Sequence, residues 1–471
     1  MSQEPIDIKD FVRTPNWWRT KILTELVPSE NGVAALLKTL EERDRRPFFI
    51  LDDALAKQTV FKPLFDREEK YLFCASESEP KTGDVDRLVA ALRQKRPQPD
   101  TIVGVGGGGT MDLAKAVGIC IANPKTAAEY QGYGLDMQRG ADIWTMPTLN
   151  GTGAEVTPIA VLRGPEKKLG INNDYVAPAV AFLDPGLSAG VKKFNRFYTM
   201  MDCFFHHYEI TRSKTSAKDA ILDAKDGLRM AKDVLSQDLS DYTPERAIKS
   251  VMASVLGGSS TIGGRVGVSH AISYGLSNAA PKLPHSVAVT ISMLACADIY
   301  GDGGYDDTVG FLRVNGFAHP KASDYGIDRS HVEKMTNTAL GMEKLWLSHF
   351  GEGWKNLVGV LSVVTTNANI REFANLAGHN ALFSSQKSVE EKAQGLYKQS
   401  PKKAAEYLTK YCSENMDKIA KDWWKLSERL IGKYCDGYVM TEEGDQENAG
   451  LPESWLKAVN YGATSNPDDP K

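Results

Sequence analysis

Along the first 190 residues the hydrophobic positions fall into short runs separated by polar or glycine-rich breaks, with helical spacing between the runs. Residues 48–51, inside PFFILDDAL, and residues 71–78, YLFCASES, read as strands. Residues 84–95 set Leu88, Val89 and Leu92 at helical spacing. TIVGVGGGG (101–109) is a strand running into a glycine loop, and MDLAKAVGICIA after it is a helix. DIWTMPTLNGTG (142–153) repeats strand then loop. Strands separated by helices predict βαβ units and a parallel sheet.

Beyond residue 190 the strand runs fade, and long helical patterns take over at 198–212, 217–236, 244–257 and 286–300. Asp184, Pro185 and Gly186 form a turn-rich break between the two regimes. Residues 380–430 are rich in Lys, Glu and Ala with helical spacing, and the last stretch of the chain reads as loop and tail. The expected organisation is an α/β domain over 1–185, then an all-helical domain over 186–471 with a C-terminal extension from about 380.

A chain of 471 residues favours two or three domains. The net charge of −4 removes the bulk electrostatic case for nucleic acid or an anionic membrane as partner. The start, MSQEPIDIKD, has neither a basic nor an apolar leader region, and no run of apolar residues is long enough to span a bilayer. A cytoplasmic protein is expected. Six scattered cysteines without a CxxC pair suit free, buried thiols in a reducing compartment.

Candidate chemistry begins at Gly106, Gly107, Gly108 and Gly109, between a strand and a helix start. Glycine lets the backbone approach a pyrophosphate, and the helix N-terminus offers free N–H groups and a positive dipole end. A tight turn without ligand fits the same string. Asp52 and Asp53 follow the strand at 48–51; a carboxylate there binds the ribose 2′-OH of NAD and repels the 2′-phosphate of NADP, and Asp52 is chosen over a simple cap. Thr148, Asn150 and Thr152 offer polar groups to phosphates or nicotinamide from a second glycine-broken loop. Lys168 adds a cation for the cofactor, or is a solvated lysine. The expectation is a Rossmann-like N-terminal domain.

Asp202 and His206 lie four apart, so on a helix they share a face and can chelate one ion. His207 points about 100° away and is the weaker ligand. His270 sits in a short apolar helical run, and His285 follows the chain-turning Pro281 and Pro284. A carboxylate and three imidazoles suit Zn2+ or Fe2+, although separate capping or core histidines fit the spacing too. Glu209 is read as a support for the ligands or a helix salt bridge, while His319, His331, His349 and His379 are left as surface or structural residues.

At these residues the chain resembles the iron-containing (group III) alcohol dehydrogenase family. The matches are Gly106, Gly107, Gly108, Asp112, Ala114 and Lys115, then Thr148, Gly151, Thr152, Gly153 and Glu155, then Asp202, His206, Glu209, His270 and His285. The resemblance implies NAD (or NADP), a divalent metal on Asp202, His206, His270 and His285, a cofactor role for Asp112, and a homodimer acting on a small-molecule alcohol. AAEYQGYGL, FYTMMDC and GVSHAISYGLS resemble the 3-deoxy-D-manno-octulosonate 8-oxidase branch, which implies an alcohol group on a sugar acid. The chain departs from the family at Gly109 and Ala154, each in place of serine, at Tyr274 in place of a histidine, and around His285. Tyr274 shares a helix face with His270, and these two are expected at the catalytic centre, Tyr274 contacting substrate or relaying a proton. Two alternatives remain: a dehydroquinate-synthase-like lyase, and a degenerate, non-catalytic sugar-binding protein.

Overall fold

The computed structural model describes residues 18–75, 79–296 and 304–351. Its main sheet has six strands: β1 (Glu25–Pro28), β2 (Pro47–Asp52), β3 (Lys70–Phe73), β4 (Thr101–Gly106), β5 (Asp142–Pro147) and β8 (Val180–Leu183). They lie in the order β1-β8-β5-β4-β2-β3, and every pairing is parallel. The central strands β4 and β8 are buried at every position, as a parallel sheet covered on both faces requires, whereas β1 and β3 at the edges are partly exposed. Leu36 and Leu40 of α1 (Gly32–Glu42) pack on one face; Val85, Val89 and Leu92 of α2 (Thr82–Gln94) and much of α3 (Gly108–Cys120) pack on the other.

Strand order reverses direction between β2 and β4, because β3 lies outside β2 while β5 and β8 follow on the far side of β4. Ligands of such sheets bind in the crevice at that reversal, beyond the carboxyl ends of the strands. Asp52 closes β2 and Gly106 closes β4 at that spot.

A two-stranded antiparallel hairpin, β6 (Ile159–Arg163) with β7 (Lys168–Asn172), was not foreseen from the sequence. It covers α3, which explains why α3 is buried from Thr110 to Cys120, Asp112 excepted, rather than amphipathic.

After Leu183 the described elements are helices: α4 (Lys193–Ile210), α5 (Lys218–Leu235), α6 (Pro244–Gly263), α7 (Val268–Ala279), α8 (His285–Cys296), α9 (Gly304–Val314), α10 (Val332–Leu340) and α11 (Glu343–Phe350), with short 3-10 turns between them. Phe197, Met201, Phe204, Phe205 and Tyr208 of α4 form the centre of their core. Val156, Ala181 and Leu183 from the sheet side meet Ile248, Val251 and Val255 of α6 at the junction. Cys120 and Cys203 are buried thiols. The extension from about 380, with His379, Cys412 and Cys435, lies outside the described residues. No helix among the described residues is long and apolar enough to cross a membrane.

Candidate metal centre and cofactor cleft

The loop after β5 joins the two halves. Gly151 and Gly153 both carry positive φ, 150° and 67°, and a Cβ on Gly153 would lie 2.4 Å from the Gly258 backbone of α6. Ser254 of α6 receives the Gly151 N–H at 2.8 Å and donates to Glu155 Oε1 at 2.7 Å. The glycines that looked like a ligand loop therefore also bring β5 against the helices that carry the histidines.

On those helices Asp202 and His206 sit one turn apart on α4, as expected. Asp202, His206 and His270 place one donor atom each within 4.8 Å of one another. His270 Nε2 lies 3.4 Å from Asp202 Oδ1, and the His206 and His270 rings stack at 4.7 Å. His285, the first residue of α8, stands beside this trio, with Nε2 at 3.9 Å from Asp202 Oδ1. Its side chain is 28% exposed against 2% for Asp202, so the cluster opens to solvent on the His285 side.

Glu209, one turn beyond His206, takes the other side of His270. Its Oε2 accepts from His270 Nδ1 at 2.5 Å and from Gly267 N at 2.9 Å, and its Oε1 accepts from Ser269 N at 2.8 Å. Glu209 thus orients a candidate ligand and caps the start of α7, the support expected of it. His207 faces away: its Nε2 donates to Ala253 O at 3.0 Å and its ring fills the space left by Gly227. His331 pairs with Asp328, and His319 is exposed.

Charge follows this geometry. Burial works against the Asp202 carboxylate, but the imidazoles of His206, His285 and His270 outweigh it and hold the carboxyl well below its ordinary range. Burial also opposes a charged His270, yet Glu209 and Asp202 together push it up to about 9. His285 is pushed down to about 3, first by burial and then by the positive charges of Lys168 and the neighbouring imidazoles. Buried atoms at the centre without a hydrogen-bond partner are Asp202 Oδ1, His270 Nε2, His206 Nδ1 and His285 Nδ1.

At the sheet, Gly106 gives β4 room beside β2, since a Cβ there would come 2.9 Å from that of Asp52. Gly107 caps α3, and Gly108 and Gly109 begin it, with Gly108 resting on the Thr152 side chain. Asp52 Oδ1 accepts from Ala54 N at 3.1 Å, so it caps a short turn while sitting at the crevice. Thr148 N donates to Gly106 O at 3.0 Å, which joins the two loops.

Some expected cofactor residues have other partners. Asp112 is engaged by Lys115 at 3.1 Å and by Val161 N at 3.1 Å, and so ties α3 to the hairpin. Asn150 lines a cavity with Arg196, Ser188 and Tyr242, on the helical side of its loop. Lys168 is not a solvated lysine: it is buried, with Nζ 2.5 Å from Glu79 Oε1, because β7 folds it under α7, where its N–H donates to Asn278 Oδ1 at 2.9 Å. Tyr274 projects from α7 toward His285, with ring centroids 6.0 Å apart. Glu79, Ser254 and Arg163 were not singled out from the sequence.

Residues 24–185 match the family described as iron-containing alcohol dehydrogenase. Curated relatives include the NAD-dependent methanol dehydrogenase of Bacillus methanolicus, 25% identical over 47% of this chain and 58% of that protein. The sulfoacetaldehyde reductase of Bilophila wadsworthia is 27% identical over 38% of this chain and 49% of that one. The chain spans about half the length of these relatives. Among solved structures, sulfoacetaldehyde reductase from Bifidobacterium kashiwanohense in complex with NAD+ shares the fold, with a TM-score of 0.58 at 21% identity over 68% of this chain and 92% of that one. Through residues 24–185 the chain is similar to the iron-containing alcohol dehydrogenase family.

Proposed function

We propose that the chain transfers hydride between NAD(P) and an alcohol at a divalent metal held by Asp202, His206 and His270, with His285 as fourth ligand. The carrying observation is that Asp202, His206 and His270 bring one donor atom each within 4.8 Å of one another, while Asp202 Oδ1, His270 Nε2 and His206 Nδ1 are buried without a hydrogen-bond partner. Buried polar atoms without partners are costly, and a cation satisfies them together. Oxygen and imidazole donors suit Fe2+ and Zn2+ alike. The bound metal supplies Lewis acidity to the alcohol oxygen, and the nicotinamide supplies the hydride acceptor.

The chain's own residues do the positioning. Glu209 engages His270 Nδ1 and so turns Nε2 toward Asp202. Gly107 and the first turn of α3 offer N–H groups at the sheet's reversal point, where a pyrophosphate is neutralised. Asp52, which ends β2 at the same crevice, takes the ribose in this reading. Burial pushes the Tyr274 hydroxyl well above its ordinary pKa, so it stays a neutral phenol and orients substrate as a hydrogen-bond donor.

The substrate proposed is the alcohol group of a sugar acid such as 3-deoxy-octulosonate. Support comes from the segments that resemble that branch and from the sulfoacetaldehyde reductase relative, whose named substrate is also acidic. NADH formation with a panel of sugar acids and neutral alcohols tests this, alongside metal analysis of the purified protein. A His270→Ala variant is expected to lose turnover while NAD affinity stays within a few-fold, since His270 lies at the metal cluster and not at the glycine loop. Full turnover by that variant, or a protein that takes up no metal, overturns the reading.

A further inference from the structure

One group of charges plays no part in the hydride chemistry. The loop before Tyr133 is pinned along β7, where Gly132 N donates to Gly170 O at 2.8 Å. The Tyr133 ring, 49% exposed, carries two cations from the helical half: Lys344 Nζ lies 3.8 Å from its centroid and the Arg265 guanidinium carbon 6.0 Å. Lys344 starts along α11, and Arg265 lies just ahead of α7, the helix that bears His270 and Tyr274. Among the described residues neither cation forms an ion pair. Below them Arg163 and Lys168 share a single carboxylate, Glu79. Burial first, and then the Tyr133 phenol, raise the Tyr274 hydroxyl above its ordinary range. Arg265 and Lys344 thus meet at the Tyr133 ring beside the entry to α7, ahead of His270 and Tyr274 on the same segment.

We propose that Arg265 and Lys344, seated on the Tyr133 ring, bind the carboxylate or sulfonate of the substrate whose hydroxyl reaches the Asp202–His270 centre. The ring face holds the two cations by cation–π attraction without neutralising them. The guanidinium fork matches an acidic group in two parallel hydrogen bonds, and an ammonium supplies a point charge beside it. This inference rests on the function proposed above and names what selects its substrates.

The test uses the full, metal-loaded chain with NAD+. It compares kcat/KM for 4-hydroxybutyrate and 1-butanol, which match in chain length and differ in the acid. The wild type is expected to favour the acid. Arg265→Met and Lys344→Gln should each lower kcat/KM for the acid on the order of 10-fold, through KM, and leave 1-butanol within about 2-fold. Arg265→Lys should keep most of the preference. Glutarate, an acid with no hydroxyl to oxidise, is titrated by calorimetry as a readout free of turnover. Glutarate binding that is weakened in both variants supports the acid site even if no alcohol is oxidised, in which case the hydride-transfer reading fails alone. Equal losses on both alcohols, or glutarate binding that is absent or unchanged by the substitutions, overturns the inference.

Discussion

Glu209 Oε2 lies 2.5 Å from His270 Nδ1, and this contact decides which nitrogen of the imidazole is turned toward Asp202. The same carboxylate collects the Gly267 and Ser269 N–H groups, so orientation of the His270 ring and helix capping share one residue. Glu209→Gln keeps the size and an acceptor but gives up the charge that fixes the tautomer. Its metal affinity is expected to fall by about 10- to 100-fold, read by competition with a chelator. Wild-type affinity in that variant would show that the contact serves the helix alone.

Ser254 connects the two halves through Gly151 N and Glu155, deep in the junction. Ser254→Ala leaves a buried carboxylate and a buried N–H without this partner. A loss of about 2–4 kcal/mol is expected, seen in the urea midpoint. An unchanged midpoint would mean that water replaces the hydroxyl there.

Asp52 stands at the carboxyl end of β2, beside the close approach of Gly106. Its carboxylate is expected to repel the 2′-phosphate of NADP. Asp52→Ala should raise kcat/KM for NADP+ relative to NAD+ by about 10-fold or more, with little change in melting temperature because only one turn-capping bond is lost. A cofactor preference equal to the wild type's would remove Asp52 from the ribose site.

His207 is held neutral: burial pushes it down to about 3 from an ordinary 6.5. Between those values the unfolded chain takes up a proton that the folded ring refuses. Stability therefore falls as the pH drops from 6.5 toward 3, by up to about 1.4 kcal/mol per pH unit. His207→Gln, which keeps a donor for Ala253 O, should flatten the dependence of the urea midpoint on pH over that window. A wild-type slope in the variant would assign the acid lability elsewhere.

Much of this molecule was readable in advance. The runs at 48–51, 101–106 and 142–147 are buried central strands, and the helical spacing at 84–95 became α2 within about two residues. Asp202 and His206 were readable as a pair because one helical turn brings them together whatever surrounds the helix. The hairpin had a signal that went unread, namely the short apolar run Ile159 to Leu162, rich in β-branched residues, before a polar turn at Gly164. Lys168 looked solvated because a lone lysine in a string says nothing of Glu79, which lies far off in sequence.

Composition and periodicity settled most of the elements, their α/β-then-helical succession and the one-turn spacing of Asp202 and His206, since these depend on residues within a turn or a strand of each other. Packing alone decided that His270 and His285 meet Asp202, that Glu155 meets Ser254, and that Arg265 and Lys344 rest on Tyr133. Those contacts join segments from different parts of the chain. They exist only once burial of the apolar faces has brought sheet and helices together.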